Sequence, residues 1–334
     1  MSLISDELVF EEEFIPETLV KRKEQIDRIT SYLKPIILGR KPPNLLLHGQ
    51  PGTGKTVTAR FVIRKLSRKV NCLYVNCSIF RTFHSVLEHM VTKLRILGGF
   101  QQSVQAKLKA LDKLFRKPLI LVLDEVDWPS PKERDTMLYA FSSYPSIALI
   151  LISSSRKWLL EADERVRSRL GLISIPFPPY SRSDLMRILR QRARLGLKEG
   201  CWDEEILERI VQMADSDIRV AIQTLRNAAA SAESSGSERI LPQHIGQGLI
   251  RARELQMRYR LERLGAYPRM IYRIVRESGL ISSSSLFRRC LKACKELGVP
   301  PIPRRSYYHH INVLIREGLI EAEEYGERYF RARL

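Results

Sequence analysis

The stretch "NLLLHGQPGTGKTV", residues 44–57, runs from an aliphatic segment through a glycine-rich turn into a lysine–threonine pair. Three consecutive leucines bounded by turn residues read as a strand buried on both faces. "GQPGTGKT" (49–56) fits the pattern G-x-x-x-x-G-K-[S/T] and stands directly after a strand, opening a helix. Its glycines let backbone N–H groups turn inward around phosphates, and the helix N-terminus adds partial positive charge. Gly52, Thr53, Gly54 and Val57 belong to that cradle. Lys55 is expected to reach the β- and γ-phosphates of a nucleotide such as ATP or ADP. Thr56 is expected to hold Mg²⁺ through its hydroxyl.

Working outward, further apolar runs occur at "LYV" (73–75), "LILVL" (119–123), "ALILIS" (148–153) and "LISI" (172–175). Helical patterns alternate with them from about residue 24 to 176. Helices between parallel strands make a doubly wound α/β domain. One connection is too long for a simple crossover: 43 residues separate "LYV" from "LILVL". Two helical patterns fit there, near 80–97 and 103–116 around "GGFQQ", so residues 80–117 read as a helical insertion on the core.

The other strand ends carry chemistry. "LILVLDEVD" (119–127) delivers Asp124 beside the phosphate loop, where it can orient a Mg²⁺ shell. Glu125 follows, placed to polarise an attacking water as a general base. In "LISSSRKW" (151–158), Ser154 emerges from an apolar strand and is the candidate to position that water. In "DERVRSRLGL" (163–172), Arg169 precedes the last strand at the domain edge. A guanidinium there suits nucleotide bound by a neighbouring subunit, stabilising transition-state charge in trans.

From residue 177 onward the strand signal vanishes. "SRSDLMRILRQRARLGL" (181–197), "DEEILERIVQMA" (203–214) and "DIRVAIQTLRNAAASA" (217–232) read as amphipathic helices with Ser or Asp near their starts. "ESSGSER" (233–239) is a loop before a helix beginning near Pro242, and "RLGAYPR" (263–269) breaks the pattern again. The 334 residues carry a net charge of +19. Residues 251–334 hold 18 lysines and arginines against 9 acidic residues, a much denser positive charge than the rest of the chain. A polyanion is the natural partner of such a module. Five cysteines (72, 77, 201, 290, 294) show neither metal spacing nor a disulfide framework, and Cys290 and Cys294 fall one helical turn apart. The start "MSLISDELVFEEEF" has no signal-peptide pattern, and no apolar run spans a bilayer. A soluble, cytoplasmic, nucleoid-associated protein is expected.

Taken together, the phosphate loop, "LDEVD", "RVRSRL", "FPPY" (177–180) and "DIRVAIQTLRNAA" (217–229) resemble an AAA+ ATPase. More closely, they resemble archaeal replication initiators related to origin recognition complex subunit one and cell division control protein six. The resemblance runs from about Pro16 to the C-terminus. It implies an α/β AAA+ core (1–176), an all-α lid (177–262) and a C-terminal winged helix (263–334). "IPETLVKRKEQI" (15–26) matches the segment that packs on adenine, placing Val20, Lys21 and Arg22 near the base. "FPPYSRSDLMRILRQR" (177–192) matches the lid motif whose Tyr180 and Arg192 line the nucleotide site. "SDIRVA" (216–221) matches a second-sensor helix start, from which Arg219 touches the γ-phosphate. Two positions depart from the pattern: Ser154 stands where Asn is usual, and Ser216 where Gly is usual. The long connection matches the family's DNA-contacting insertion.

In the winged-helix reading, "RRSYYHHINVL" (304–314) opens the recognition helix. Ile311, Leu314 and Ile315 form its apolar face, while Arg304, Arg305, Tyr308, His309 and Asn312 are offered to duplex DNA. "LIEAEEYGERYFRARL" (319–334) reads as two strands around a Tyr-Gly turn, a wing whose Arg328 is aimed at the minor groove. The family implies slow Mg²⁺-dependent ATP hydrolysis acting as a switch, binding of double-stranded origin DNA, and recruitment or loading of a replicative helicase. Self-association or pairing with paralogues on DNA is a further expectation. Two other readings stay open at this point. One is a clamp-loader-like or branch-migration motor ATPase; the other is a transcriptional regulator that uses ATP only as a ligand.

Overall fold

Residues at even and odd positions of the central strands face opposite sides of a single sheet, and that alternation builds two cores. The computed structural model describes residues 2–95, 103–214 and 217–333. The chain divides into two compact units, 1–245 and 246–334. The first begins with a short 3₁₀ turn, Glu7–Phe10, and α1 (Lys23–Ile37). β1 (Leu45–His48), α2 (Lys55–Leu66) and β2 (Asn71–Asn76) follow, then a helical pair, α3 (Phe83–Lys93) and α4 (Val104–Phe115). Beyond these come β3 (Leu119–Asp124), α5 (Pro131–Ser142), β4 (Ile147–Ser153), the short α6 (Trp158–Glu161) and α7 (Glu164–Leu170), and β5 (Ile173–Pro176).

The five strands are parallel in the order β2-β3-β4-β1-β5. Leu45, Leu47, Ile120, Val122, Ile150 and Ile152 pack against α1 and α2 on one face. Their neighbours Leu46, Leu121, Leu123, Leu149 and Leu151 pack against α3, α4, α5 and α7 on the other. Period-two alternation in strands that are apolar throughout is what a doubly covered sheet requires.

The long β2–β3 connection is more than an appendage. Val86, Leu87, Met90 and Val91 of α3, with Leu111 and Phe115 of α4, are buried in the same core as β3. The pair therefore covers this face of the sheet between β2 and β3. Residues 96–102, which include "GGFQQ", lie outside the described residues.

After β5 the first unit becomes all-helical: α8 (Arg182–Gly196), α9 (Glu204–Met213) and α10 (Ile218–Ser234). Ser181, Asp203 and Asp217 cap them, each side chain accepting from a backbone N–H of the first turn. Leu189, Ile210 and Leu225 are fully buried among them. The unexpected feature is residues 3–11, which lie along α8 and α10. The backbone N–H groups of Leu3 and Ile4 donate to Glu233, Gln223 donates to Phe10 O at 2.8 Å, and Arg226 pairs with Glu7 at 3.3 Å. The Phe10 ring sits so close to Gly196 that no Cβ fits there.

The division between the units falls within α11 (Pro242–Glu262). The second unit adds α12 (Ala266–Ser278), β6 (Leu280–Ser282), α13 (Ser283–Glu296), α14 (Arg304–Arg316), β7 (Ile320–Tyr325) and β8 (Glu327–Ala332). The expected break at 263–269 is only three residues long, because Gly265 caps α12 directly. The expected hairpin is present, and β6 joins it to make an antiparallel sheet in the order β6-β8-β7. Strand β6 spans just three residues, too few for any periodic signal in the sequence. All five cysteines are free, and Cys290 and Cys294 are buried on one face of α13. Among the described residues no helix is long and apolar enough to cross a membrane.

Candidate functional site

The turn between β1 and α2 has the backbone that its glycines permit. Gly52 and Gly54 adopt φ of 78° and 77°, and Gly54 is the N-cap of α2. A Cβ at Gly54 would strike the Tyr180 hydroxyl, and one at Gly52 would lie 3.1 Å from Asp217 Oδ1. The left-handed φ is what calls for glycine at both positions, and any larger residue would also displace the Tyr180 or Asp217 side chain. Lys55 is buried, and its ammonium donates to the carbonyls of Gly49 and Gln50 at 2.7 and 2.8 Å. Burial pulls its pKa down to about 8, against the opposing pull of Asp124. The ammonium is held within the cradle by those two carbonyls, still protonated at neutral pH and placed to meet an anion.

Strand β4 lies between β1 and β3, so residues leaving it emerge between the loop and Asp124. Asp124 is buried at the end of β3. Its Oδ2 accepts from Thr56 Oγ1 at 2.8 Å and from Tyr74 Oη at 2.7 Å, and its Oδ1 from the Glu125 N–H at 2.8 Å. Burial pushes the carboxyl pKa up, and the Tyr74 and Thr56 donors oppose it. Glu125 turns the chain with φ of 55°, a left-handed conformation that costs a non-glycine residue energy and recurs at functional sites. Ser154 is exposed at the end of β4 and donates to Asp127 Oδ2 at 3.2 Å. Thr56 and Asp124 offer adjacent oxygen donors, and among the described residues no cluster of three His, Cys, Asp or Glu forms a caged metal site. That donor set fits Mg²⁺, which binds through one or two protein oxygens plus substrate phosphates.

Around the loop the structure brings some expected residues together and places others differently. Val20 is half-buried, and Lys21 is exposed with φ of 57°. Arg22 is buried as a tie: it donates to Thr53 O at 3.1 Å, Lys21 O at 3.0 Å and Pro178 O at 2.8 Å. Its guanidinium also lies 4.0 Å from the centroid of the Tyr180 ring. Arg219 is held by Asp217 through Nε at 3.2 Å and NH2 at 2.9 Å, and Asp217 abuts Gly52. Arg192 departs from expectation. Its NH1 donates to Val9 O at 2.6 Å and its NH2 to Phe14 O at 3.5 Å, with Phe14 beneath the guanidinium. In this structure Arg192 is thus hydrogen-bonded to the N-terminal segment rather than placed at the phosphate loop. Arg169 is exposed on α7, 4.7 Å from the Tyr139 ring centroid. Ser216 lies outside the described residues.

Tyr74, Asp127 and Asp217 escaped the sequence reading. Tyr74 looked like an ordinary strand aromatic; its polar tip in an otherwise aliphatic sheet was the available signal. Asp217 looked like a helix cap, which it also is.

In the second unit, α14 buries Tyr307, Ile311 and Leu314 and leaves Ile315 half-buried. Arg304, Arg305, Tyr308, His309 and Asn312 are all exposed, and Arg304 rests 5.6 Å from the Phe287 ring centroid. Arg328 is exposed on β8, directly opposite Glu324 in the strand register.

Comparison with known proteins places this geometry. Residues 18–152 match the AAA ATPase domain family, and residues 186–249 match the Cdc6 AAA+ ATPase-type lid domain. An ORC1-type DNA replication protein from Thermococcus kodakarensis is 30% identical across 97% of this chain and 86% of its own length. This chain belongs to the ORC1-type DNA replication protein family. Among solved structures of the family, Aeropyrum pernix Orc1 in complex with DNA superposes with a TM-score of 0.83 at 25% identity. That match covers 99% of this chain and 94% of the other. Cdc6 from Pyrobaculum aerophilum shares the fold at 24% identity and a TM-score of 0.67, with the same coverage. The ORC1-type assignment agrees with the loop, Asp124 and the helical group that carries Arg219.

Proposed function

We propose that the chain is an ATP-switched replication initiator. On this reading it binds origin duplex DNA through a C-terminal winged helix and the α3–α4 insertion, and helps recruit or load the replicative helicase. The proposed division is a core of residues 1–176, a lid of 177–262 and a winged helix of 263–334. The observation that carries the switch is the closeness of Asp217, partner of Arg219, to the phosphate loop: a Cβ at Gly52 would lie 3.1 Å from Asp217 Oδ1. A helix of the lid thereby abuts the phosphate loop, so the presence of a γ-phosphate changes what Arg219 pairs with.

Lys55 and the loop amides bind the triphosphate, Val20 and Lys21 lie near the base, and Tyr180 lines the nucleotide site. Thr56 and Asp124 would hold Mg²⁺, which would supply neutralisation of phosphate charge. Glu125 takes a proton from the attacking water, Ser154 orients that water with Asp127, and Arg169 reaches nucleotide on a neighbouring subunit. Slow turnover follows if Arg169 acts only after assembly on DNA.

For DNA, the support is the basic face of α14 and the resemblance to the DNA-bound Aeropyrum pernix Orc1. Arginines at a helix N-terminus suit both phosphate anchoring and guanine-edge readout. The test is duplex binding by the full chain with ATP, with ADP and without nucleotide, for wild type and Lys55→Ala. The expected result is nucleotide-dependent affinity in wild type that Lys55→Ala abolishes. Absence of DNA affinity under every condition refutes the reading.

A further inference from the structure

Asp124 is held by three donors, and two of them come from elements that any phosphate loop brings: Thr56 from the helix start and the N–H of Glu125 from the strand turn. The third, the Tyr74 hydroxyl, comes from the neighbouring strand β2. Asn76 is the register partner of Asp124, and Tyr74, two residues earlier, points to the same face of the sheet. The ring is itself fixed. Arg60 lies on α2 one turn beyond Thr56, with its guanidinium 4.3 Å from the Tyr74 ring centroid. Glu13 sits 3.9 Å from that guanidinium.

We propose that Tyr74 is a positioning residue for the metal–nucleotide site. A threonine hydroxyl has one hydrogen and two lone pairs. When its hydrogen is directed to Asp124 Oδ2, its lone pairs are left for a cation. That direction holds only if Oδ2 stays in place, and Tyr74 pins Oδ2 from the side away from the loop. Without the phenol, Oδ2 keeps only the mobile Thr56 hydroxyl, so the carboxylate swings through a wider range about its hydrogen bond to the Glu125 amide. The Thr56 hydroxyl then follows it and presents its lone pairs to the cation for a smaller fraction of the time. Tyr74 touches neither nucleotide nor cation; it acts through Asp124 and Thr56.

The inference rests on the nucleotide reading above and is tested with the full-length protein. Tyr74→Phe keeps the ring under Arg60 and removes only the hydroxyl. Affinity for a fluorescent ATP analogue is measured in excess EDTA and across a Mg²⁺ titration, with thermal unfolding in EDTA as the check on folding. The expected result is EDTA affinity within about twofold of wild type and a Mg²⁺ midpoint raised about tenfold, the scale of a hydrogen bond to a charged group. In an Asp124→Ala background the same substitution should shift nothing further. An unchanged midpoint, or an equal loss of affinity with and without Mg²⁺, overturns the role of Tyr74. Wild type that binds no analogue in either medium instead overturns the nucleotide reading itself.

Discussion

Arg22 donates its Nε–H to the carbonyl of Thr53 at 3.1 Å, inside the phosphate loop, and its NH2 to the carbonyl of Pro178 at 2.8 Å. One buried guanidinium therefore joins the N-terminal segment, the loop and the connection into the helical group. Replacement by alanine leaves those carbonyls without donors and removes the group stacked on Tyr180. Each orphaned buried acceptor costs roughly 1–3 kcal/mol, so with the Thr53 and Pro178 carbonyls both left without a donor Arg22→Ala should destabilise the protein by about 2–6 kcal/mol. Arg22→Lys keeps the charge but not the planar fork that spans three carbonyls, and should recover less than half of the loss. Urea unfolding of the two variants measures both effects.

Arg219 is parked on Asp217, two residues away, in a bidentate pair beside Gly52. If it turns to a γ-phosphate, its removal should weaken ATP binding by about tenfold and leave ADP nearly unaffected, as loss of a charged hydrogen bond implies. Parallel titrations of Arg219→Ala with the two nucleotides read this directly. An equal loss for both would assign the arginine to the resting pair alone.

The doubly covered sheet and the phosphate loop were legible because the unbroken apolar runs Leu45–Leu47 and Leu119–Leu123 are local signals, and the glycine spacing is a local constraint too. The exposed side of α14 was legible for the same reason. The N-terminal strap was not: Val9 and Phe10 are buried by helices about 180 residues later in the chain, and an acidic segment of that length has no period to detect. The hydrogen bonds of Arg192 were hidden for the same reason, since its partners Val9 and Phe14 are set by tertiary packing. The family pattern supplied its motif, and the strap supplied its hydrogen bonds. Tyr74 shows the opposite limit: its strand was evident, but the acceptor at its tip lies on another strand.

Lys55 adds a pH dependence of definite sign. Burial lowers its pKa from 10.5 to about 8. Between those values the unfolded chain binds the extra proton, so this group's contribution to stability rises with pH across that window and its penalty is full below about pH 8. Phosphate binding uses the protonated form. Affinity for ATP should therefore be flat below pH 7.5 and fall as pH climbs past about 8, by up to tenfold per unit. Lys55→Arg, which stays charged throughout, should bind with a flat profile over the same range. Affinity measured from pH 6.5 to 9.5 in both proteins decides it.

The hairpin carries a charge pattern that bears on the DNA contacts proposed for α14 and Arg328. Glu324 stands opposite Arg328, Glu321 stands opposite Arg331 and pairs with Arg333, and Glu323 and Glu327 flank the turn. Carboxylates this close offset the attraction of Arg328 for phosphates, whereas Arg304 and Arg305 have no acidic residue in the first turn of α14. Arg305→Ala should thus lower the slope of log affinity against log salt by about 0.9, the amount expected for one lost phosphate contact. Arg328→Ala should lower it by less than half as much. Glu324→Gln should have the reverse effect, strengthening duplex binding about two- to fivefold at low salt and steepening the slope, because a repulsive charge facing a phosphate has been removed. Equal slope changes for Arg305→Ala and Arg328→Ala, with Glu324→Gln silent, would mean that the hairpin meets the backbone as fully as α14 does.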